Sequence, residues 1–266
     1  MGRYPLFISV IADGKVYLCT TEHSPNSPLY KGAQFRCVNA TDGAELWTIM
    51  DYSNQMYGGV APVADGYLAF LNTYDCQIYC IGKGPSETSV TASPKVSVQE
   101  SSVLVEGMVI DTAAGTKQPE QAARFPKRVP AVSDASMGEW MEYVYQQKPR
   151  PTDVTGVEVI VSVIDPNENS YEVGRATSDA NGMFKMSFTP QVPGEYTVIA
   201  TFAGSESYYG SVADTAISVE TAPAATAAPT PTPAPMTDTY VLGIGAGAIV
   251  AIVVIGLVII LMLRKR

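Results

Sequence analysis

The hydrophobic positions of this chain follow three successive patterns. Between residues 7 and 82, short apolar and β-branched runs alternate with turn residues, which is typical of short antiparallel strands. Between residues 89 and 219 the runs are longer, and apolar residues alternate with polar ones, which predicts half-buried strands. Residues 241–263 contain no charged side chain at all. The pattern therefore predicts an all-β chain that ends in one apolar helix.

The first pattern repeats itself within residues 1–87. Its strands are predicted at 7–12, 15–21, 34–39, 45–50, 60–64, 67–73 and 77–82. The Asp13-Gly14 pair returns as Asp65-Gly66, and both pairs favour type I′ hairpin turns. Cys37 returns as Cys80 after 43 residues, a length typical of one propeller blade. Residues 1–87 are therefore predicted to form a partial β-propeller of about two blades.

One segment carries a family resemblance. Residues 37–47, CVNATDGAELW, resemble the blade signature of pyrroloquinoline-quinone-like (PQQ-like) β-propeller repeats, A-x-D-x-x-T-G-x-x-x-W. Gly43 and Trp47 match the signature, whereas Cys37, Asn39 and Asp42 stand in place of Ala, Asp and Thr. The resemblance implies that Trp47 packs between blades and that Gly43 makes the tight turn between the two outer strands. Cys37, Asn39, Gly43 and Trp47 are accordingly expected to be structural residues of the repeat.

The resemblance also raises two expectations about the whole protein. A propeller ring usually needs four to eight blades, so further blades are expected upstream of this segment. No secretory signal is recognisable in residues 1–15, which leaves open either a tail-anchored protein that faces inward or the C-terminal piece of a longer protein. Quinoprotein enzymes hold their cofactor and calcium with residues from many blades, and we cannot place such a set here. No catalytic residue, cofactor or metal ligand is therefore predicted.

The second pattern predicts an immunoglobulin-like (Ig-like) β-sandwich over residues 88–220. Its strands are expected at 89–98, 103–111, 157–164, 171–177, 183–188, 196–202 and 213–219. The residues around Asn181-Gly182 and the Gly194–Tyr196 turn resemble prokaryotic Ig-like repeats of cell-surface proteins, which mostly space, present or bind partners. Tyr196 is predicted to make either a tyrosine-corner hydrogen bond or a packing contact. Asp165-x-Asn167-x-Asn169 reads as a hairpin turn rather than a calcium loop.

A long insertion, residues 115–156, separates the second and third strands of this sandwich. Within it Ser136 and Glu139 predict a capping box, and a helix is expected at about 136–147. Its apolar face is either part of the core or a partner-binding surface, so Trp140 and Tyr145 are candidate partner contacts. That face consists of Met137, Trp140, Met141, Val144 and Tyr145.

Three further features concern single residues. His23, the only histidine, lies in the polar loop 22–32 and is a candidate ligand contact or simply a solvated side chain. Asn39 begins the only N-glycosylation sequon and is a candidate glycan site, although a structural role fits the turn equally well. The four cysteines are expected to be buried thiols, and a disulfide from Cys19 to Cys37 or to Cys80 is the alternative. Those cysteines are Cys19, Cys37, Cys76 and Cys80.

The last 46 residues predict how the protein is attached. Residues 221–240 are rich in Pro, Ala and Thr and favour an extended stalk. Residues 241–263 match the thickness of a bilayer, and the basic residues 264–266 place the C-terminus in the cytoplasm by the positive-inside rule. Gly243 and Gly247 match a helix-dimer motif and predict a weak dimer.

The charge and the order of parts narrow the function. The chain carries 26 acidic and 17 basic residues, which argues against nucleic acid as a partner. The order of propeller, Ig-like module, stalk and anchor resembles archaeal surface proteins with PQQ-like repeats. We predict a non-enzymatic cell-membrane protein, extracellular on its N-terminal side, that binds or scaffolds an unknown protein or carbohydrate. The alternatives are a tethered quinoprotein dehydrogenase whose cofactor site lies in upstream blades, and a structural envelope spacer.

Overall fold

The computed structural model describes residues 6–20, 33–52, 61–223 and 237–265, without the side chains of residues 237–239. His23 and most of the predicted stalk lie outside these residues. The described chain consists mostly of strands and divides into two compact units, Met1–Ala222 and Pro223–Arg266. Among the described residues, the first unit contains all the sheets and two short α-helices, and the second contains one long helix.

The N-terminal strands form two antiparallel sheets in which neighbours in sequence are neighbours in space. The first sheet has the order β1-β2-β3-β4 and the second β5-β6-β7. Asp13 and Gly14 have φ of 50° and 66°, and Asp65 and Gly66 have φ of 50° and 79°, which confirms the predicted type I′ turns. The strands are β1 (Leu6–Ala12), β2 (Lys15–Thr20), β3 (Gln34–Asn39), β4 (Glu45–Met50), β5 (Val63–Ala64), β6 (Tyr67–Asn72) and β7 (Gln77–Ile81).

An aromatic core joins these two sheets. Phe7, Cys19, Phe35 and Ile49 lie opposite one another on consecutive strands, so their side chains share one face of the first sheet. The Phe35 ring stacks on Phe70 of the second sheet with centroids 4.7 Å apart. Because Phe35 is fully buried, its removal would cost about 3–5 kcal/mol. The two sheets therefore pack face to face through large apolar side chains.

The following eight strands form a two-sheet sandwich of Ig-like arrangement. One sheet has the order β13-β10-β8, and the other has the order β12-β11-β14-β15-β9, in which only β15 and β9 run parallel. These sheets are built from β8 (Ser86–Ser93), β9 (Val96–Val98), β10 (Val103–Asp111), β11 (Glu158–Ile164), β12 (Ser170–Thr177), β13 (Met183–Phe188), β14 (Gly194–Gly204) and β15 (Tyr209–Glu220).

The predicted strand 89–98 is in fact two strands that belong to opposite sheets. β8 pairs with β10, whereas β9 pairs with β15 across the sandwich. The change of sheet falls at Pro94, which has no N–H to donate to a continuing ladder. Alternation of apolar residues continues through both strands, so the sequence pattern alone did not reveal the crossing.

The sandwich core comes from the alternating positions of its central strands. Val103 and Val105 of β10 face Val159 and Val161 of β11, and all four side chains are fully buried. The Tyr196 hydroxyl accepts a hydrogen bond from the Val192 backbone N–H at 3.0 Å. Of the two roles predicted for Tyr196, the structure therefore has the tyrosine-corner hydrogen bond. This bond ties the β13–β14 connection to the core.

The insertion contains two helices where one was predicted. The unpredicted helix, α1 (Pro119–Arg124), begins with Pro at its first position. The second, α2 (Met137–Gln146), ends at Gln147, which has φ of 55°. The predicted capping box is wrong, because Ser136 is the last residue of a 3₁₀ turn and makes no side-chain capping bond; its hydroxyl instead accepts the Thr155 backbone N–H at 3.1 Å.

The second unit is dominated by α3 (Thr237–Leu263). Its segment Tyr240–Leu263 contains 24 residues and is long and apolar enough to cross a membrane. At 1.5 Å per residue it extends about 36 Å, against a hydrocarbon thickness of about 30 Å. Gly243 and Gly247 lie one turn apart on this helix, and an added Cβ at either would meet no atom within 4 Å.

Candidate functional site

A cleft of about 360 Å³ opens between the insertion and one end of the sandwich. Its walls come from the end of α1 and the segment that follows it, from Tyr143 on α2, from Arg150, and from the turn between β12 and β13. These pieces span residues 124–183 and are brought together only by the fold. The volume lies within the range of roughly 300–1,000 Å³ that is usual for ligand pockets.

An aromatic cluster supports the cleft from below. Trp140 and Val144, one turn apart on α2, are fully buried against Val129 and Val132. The rings of Phe125 and Tyr143 are half-buried and meet edge to face with centroids 5.8 Å apart. Because these two rings also line the cleft, its floor is apolar and held by close packing.

Arg124 is fixed beside this cluster by the C-terminal end of α2. Its Nη1 and Nη2 donate hydrogen bonds to the carbonyl oxygens of Val144 and Tyr143, each at 2.9 Å. The last carbonyls of a helix lack partners within the helix and carry partial negative charge, so a guanidinium is favourable there. The Arg124 guanidinium also lies 4.5 Å from the centroid of the Tyr143 ring, which adds a cation–π contact.

Three more cations line the cleft. Arg150 donates from Nη2 to the Ala180 carbonyl at 3.2 Å and to Asn181 Oδ1 at 3.4 Å. Arg128 forms an ion pair with Glu87, with Nη1 and Oε2 3.0 Å apart. Lys127 is exposed and makes no hydrogen bond or ion pair within the part of the chain that the structure describes.

The charge at this place is opposite to that of the whole protein. Four of the 17 basic residues line one cleft, although the chain carries a net charge of −9. No carboxylate is among the described residues that line it, and only Arg128 is paired with an acidic side chain. Carbonyl partners leave the charges of Arg124 and Arg150 in place, so positive charge is concentrated at the cleft.

A buried carboxyl lies where the insertion leaves the sandwich, outside the cleft. Asp111 is only 4% exposed, accepts the Ala113 N–H at 2.7 Å, and accepts the Tyr208 hydroxyl at 3.3 Å. Burial raises the pKa of Asp111, and the two hydrogen bonds oppose the rise. Since Tyr208 is also buried, this pair anchors the insertion and does not reach solvent.

Asp134 fixes the other side of the insertion. Its carboxylate accepts hydrogen bonds from the Ser205 hydroxyl at 2.8 Å and from the backbone N–H groups of Glu206 and Ser207 at 3.1 and 3.0 Å. Partial burial works against ionisation, but these bonds outweigh it and lower the pKa of Asp134. The connection between β14 and β15 is thereby tied to the start of α2.

The predicted partner contacts lie near the cleft but not on its surface. Trp140 is fully buried beneath the cleft, so its indole cannot touch a ligand in this structure. Of the two alternatives for the apolar face of the helix, core or partner-binding surface, Trp140 belongs to the core. Tyr145 points toward Gly115 on another side of the helix and does not line the cleft. The cationic residues of the cleft were not predicted. Arg124, Lys127 and Arg128 fall within one stretch of five residues, and such a basic cluster in an acidic chain is a signal that could have found them.

The predicted repeat residues occupy the β3–β4 hairpin. Cys37 is fully buried and lies opposite Trp47, which is half-buried against Phe35. Asn39 accepts the Thr41 N–H with its side chain at 2.8 Å, and Gly43 has φ of 75°. These contacts describe a turn in which the Asn39 side chain already has a structural partner; its glycosylation stays a prediction.

The four cysteines fall into two classes. Cys19 and Cys37 are buried, and burial raises the pKa of each thiol to about 11. Cys76 and Cys80 are exposed, in contrast to the expectation that all four would be buried. Cys76 lies in the turn before β7, with φ of 58°, and Cys80 lies on the face of β7 opposite to Tyr79 and Ile81, which pack against the core.

Sequence comparison finds no matching protein family and no matching curated protein. Among solved structures, the tetra-tandem repeat in the extending region of a large adhesion protein is 12% identical, with 81% of this chain and 48% of that chain covered and a TM-score of 0.33. The fibronectin(III)-like modules of Clostridium thermocellum CbhA are 9% identical, with 85% and 100% covered and a TM-score of 0.31. At these values the likenesses carry no argument about function.

Proposed function

We propose that this chain is a single-pass membrane protein of the cell surface, and that it binds a ligand through the cleft beside the inserted helices. The observation that carries the proposal is a cleft lined by four cations and two aromatic rings on an otherwise acidic protein. Like charges that lie this close repel one another and destabilise the fold, and a bound anionic ligand would offset that repulsion.

The location rests on the C-terminal unit. Its apolar segment of 24 residues is followed by Arg264 and Lys265, and cationic residues favour the cytoplasmic side of a span. The opposite side would then carry 26 acidic and 14 basic residues. Residues 221–240 before this segment are rich in Pro, Ala and Thr, a composition typical of linkers.

The two N-terminal sheets are proposed to be propeller blades of the PQQ-like, archaeal surface type. Each sheet is an antiparallel meander, and the two pack face to face through Phe35 and Phe70, as neighbouring blades do. The positive φ of Gly43 supports the turn role that the blade signature implies, and Trp47 is half-buried against Phe35 of the same sheet. In this protein the blades would serve as a platform beside the binding module.

A binding role is favoured over catalysis by the kind of groups at the cleft. Its described lining offers guanidinium, ammonium and amide groups together with aromatic and proline rings. These groups recognise an anion and pack against it, and no carboxylate, imidazole or thiol is among the described residues that line the cleft.

The location can be tested by proteolysis of intact cells that carry the full chain with an epitope tag after Arg266. We expect protease added outside to release fragments of the sandwich while a short tagged fragment stays with the membrane. Permeabilised cells should lose the tag as well. Protection of the sandwich in intact cells, with loss of the tag, would reverse the proposed orientation.

A further inference from the structure

We infer that the cleft binds an acidic oligosaccharide through the carboxylates of its uronic acid units. This inference rests on the proposed function, because it names the ligand class of the same site. It is argued from four properties of the cleft: its uncompensated charge, the fixation of its cations, the flat apolar surfaces beside them, and the occupied backbone groups of its rim.

The first property is uncompensated positive charge. Arg124 and Arg150 contact carbonyl and amide oxygens, which satisfy donors without neutralising a charge. Lys127 has no acidic partner among the described residues, and only Arg128 is paired, with Glu87. Three cations are thus left for an anionic ligand, enough for more than one carboxylate.

The second property is fixation. Arg124 is held by two carbonyl oxygens and by the Tyr143 ring. Arg150 donates a hydrogen bond to the Ala180 carbonyl, and its guanidinium lies 5.9 Å from the centroid of the Trp140 ring. A guanidinium has five N–H donors, so these bonds leave further donors available to a ligand. Cations that are already ordered lose little conformational entropy on binding.

The third property is apolar surface next to the charges. The rings of Phe125 and Tyr143 line the cleft together with those of Pro126 and Pro130. A sugar ring presents C–H groups on its faces and hydroxyls on its edge, so it can pack on such rings while the Asn181 amide meets a hydroxyl. A free inorganic anion would leave these surfaces unused.

The fourth property argues against an acidic peptide. Peptides that bind an edge usually pair with exposed backbone groups. At the β12–β13 turn the N–H groups of Asn181 and Met183 are bound by Asp179 Oδ1 at 2.8 and 3.0 Å, and the Ala180 carbonyl is bound by Arg150. On the facing wall the Arg128 N–H is bound by the Phe125 carbonyl at 2.8 Å. These occupied groups favour recognition by side chains over pairing with a peptide backbone.

The test is calorimetric titration of the full chain in detergent micelles with trigalacturonic acid as the probe. Its methyl ester keeps the rings and removes the charge, and hexaglutamate supplies charge on a peptide. We expect the acid to bind at least about tenfold more tightly than the ester and the peptide, since one charge-assisted hydrogen bond is worth about that factor.

Variants assign the binding to the cleft. Lys127→Ala should weaken binding of the acid about tenfold, because it removes an exposed cation without a structural partner. Lys127→Arg should restore most of the affinity. Lys117→Ala is the matched control, since Lys117 is exposed on the same insertion but does not line the cleft, and it should bind like the parent.

Several results would overturn the inference. They are no heat with the acid at millimolar concentration, equal binding of the ester, tighter binding of hexaglutamate, or equal effects of the variants at Lys127 and Lys117. The protease experiment reports location without any ligand. Release of the sandwich outside the cell together with one of these results would refute the ligand class and leave the proposed surface location standing.

Discussion

The side-chain amide of Gln146 should hold the inserted helix to the N-terminal sheets, and its loss should be measurable. Gln146 Oε1 accepts the Met50 N–H at 3.1 Å, and Gln146 Nε2 donates to the Met50 carbonyl at 2.7 Å. Met50 is the last residue of the edge strand β4, so the amide takes the place of a neighbouring strand. We expect Gln146→Ala to destabilise the first unit.

The magnitude follows from the two bonds. A hydrogen bond contributes about 1 kcal/mol net, which sets an upper value of about 2 kcal/mol for the pair. The Met50 carbonyl keeps a second donor, Asn72 Nδ2 at 2.8 Å, so the loss falls mainly on the Met50 N–H. We therefore expect a loss of about 1.5 kcal/mol and a Tm lower by about 3–6 °C for a unit of this size.

The assay combines thermal unfolding of the full chain in micelles with hydrogen exchange of the β4 peptide. In Gln146→Ala the Met50 amide should exchange about tenfold faster, since its acceptor is gone. Gln146→Glu should be worse than Ala at neutral pH, because a carboxylate then faces the Met50 carbonyl, and it should recover at acidic pH, where the protonated acid donates again.

The control is Gln118→Ala, an exposed position of the same insertion whose side chain makes no capping bond. It should leave both Tm and β4 exchange unchanged. If Gln146→Ala unfolds within 1 °C of the parent and β4 exchanges at the parent rate, then the two bonds do not join the modules and the reasoning fails.

The remaining predictions concern stability and thiol reactivity. Asp111→Asn should flatten the dependence of stability on pH. Burial raises the pKa of Asp111, so the folded state binds the proton more tightly and the parent loses stability as pH rises through that pKa, whereas the variant should not. Parallel Tm profiles of parent and variant between pH 4 and 7 would contradict this. Gly107→Ala should lower the free energy of unfolding by about 3 kcal/mol, because its Cβ would lie 2.0 Å from the Ser89 carbonyl oxygen. Gly138→Ala has open space on α2 and should raise it by roughly 0.5–1 kcal/mol. Equal Tm values for the two variants would refute this difference. A maleimide should modify the exposed thiols of Cys76 and Cys80 in the native chain, and the buried thiols of Cys19 and Cys37 only after unfolding. Four adducts found by mass spectrometry before unfolding would contradict the burial of Cys19 and Cys37.

Local features of the fold could be predicted because each is decided by a few neighbouring residues. The turns at Asp13-Gly14 and Asp65-Gly66 follow from the positive φ that a type I′ turn requires. The alternation along residues 196–202 reflects a strand with one buried face, and the structure has that segment within β14. An apolar run of 23 residues leaves few alternatives to a long helix.

Features that depend on distant contacts could not be predicted in this way. The crossing at Pro94 is decided by which sheet offers a free edge to Val96, and α1 is a single short helix of six residues that leaves almost no periodic signal. Ser136 has the right spacing for a cap, but the hydroxyl is taken by Thr155, 19 residues away.

The cleft illustrates the same limit. Trp140 has the correct spacing for a helix face, yet that face turns inward because Val129 and Val132 cover it. Arg150 reaches the cleft only because the Ala180 turn lies beside it. The sequence indicated the right helix, whereas the choice of side chains depends on tertiary packing.

The central claim is that a cationic cleft is presented outside the cell and is open to a ligand. The most direct measurement is labelling of intact cells by a membrane-impermeant amine reagent, read for each lysine by mass spectrometry. We expect Lys127 and Lys117 to be labelled, Lys265 to react only after lysis, and trigalacturonic acid to protect Lys127 but not Lys117. Labelling of Lys265 but not Lys127 on intact cells would contradict the orientation, and equal labelling of Lys127 with and without the acid would contradict the site.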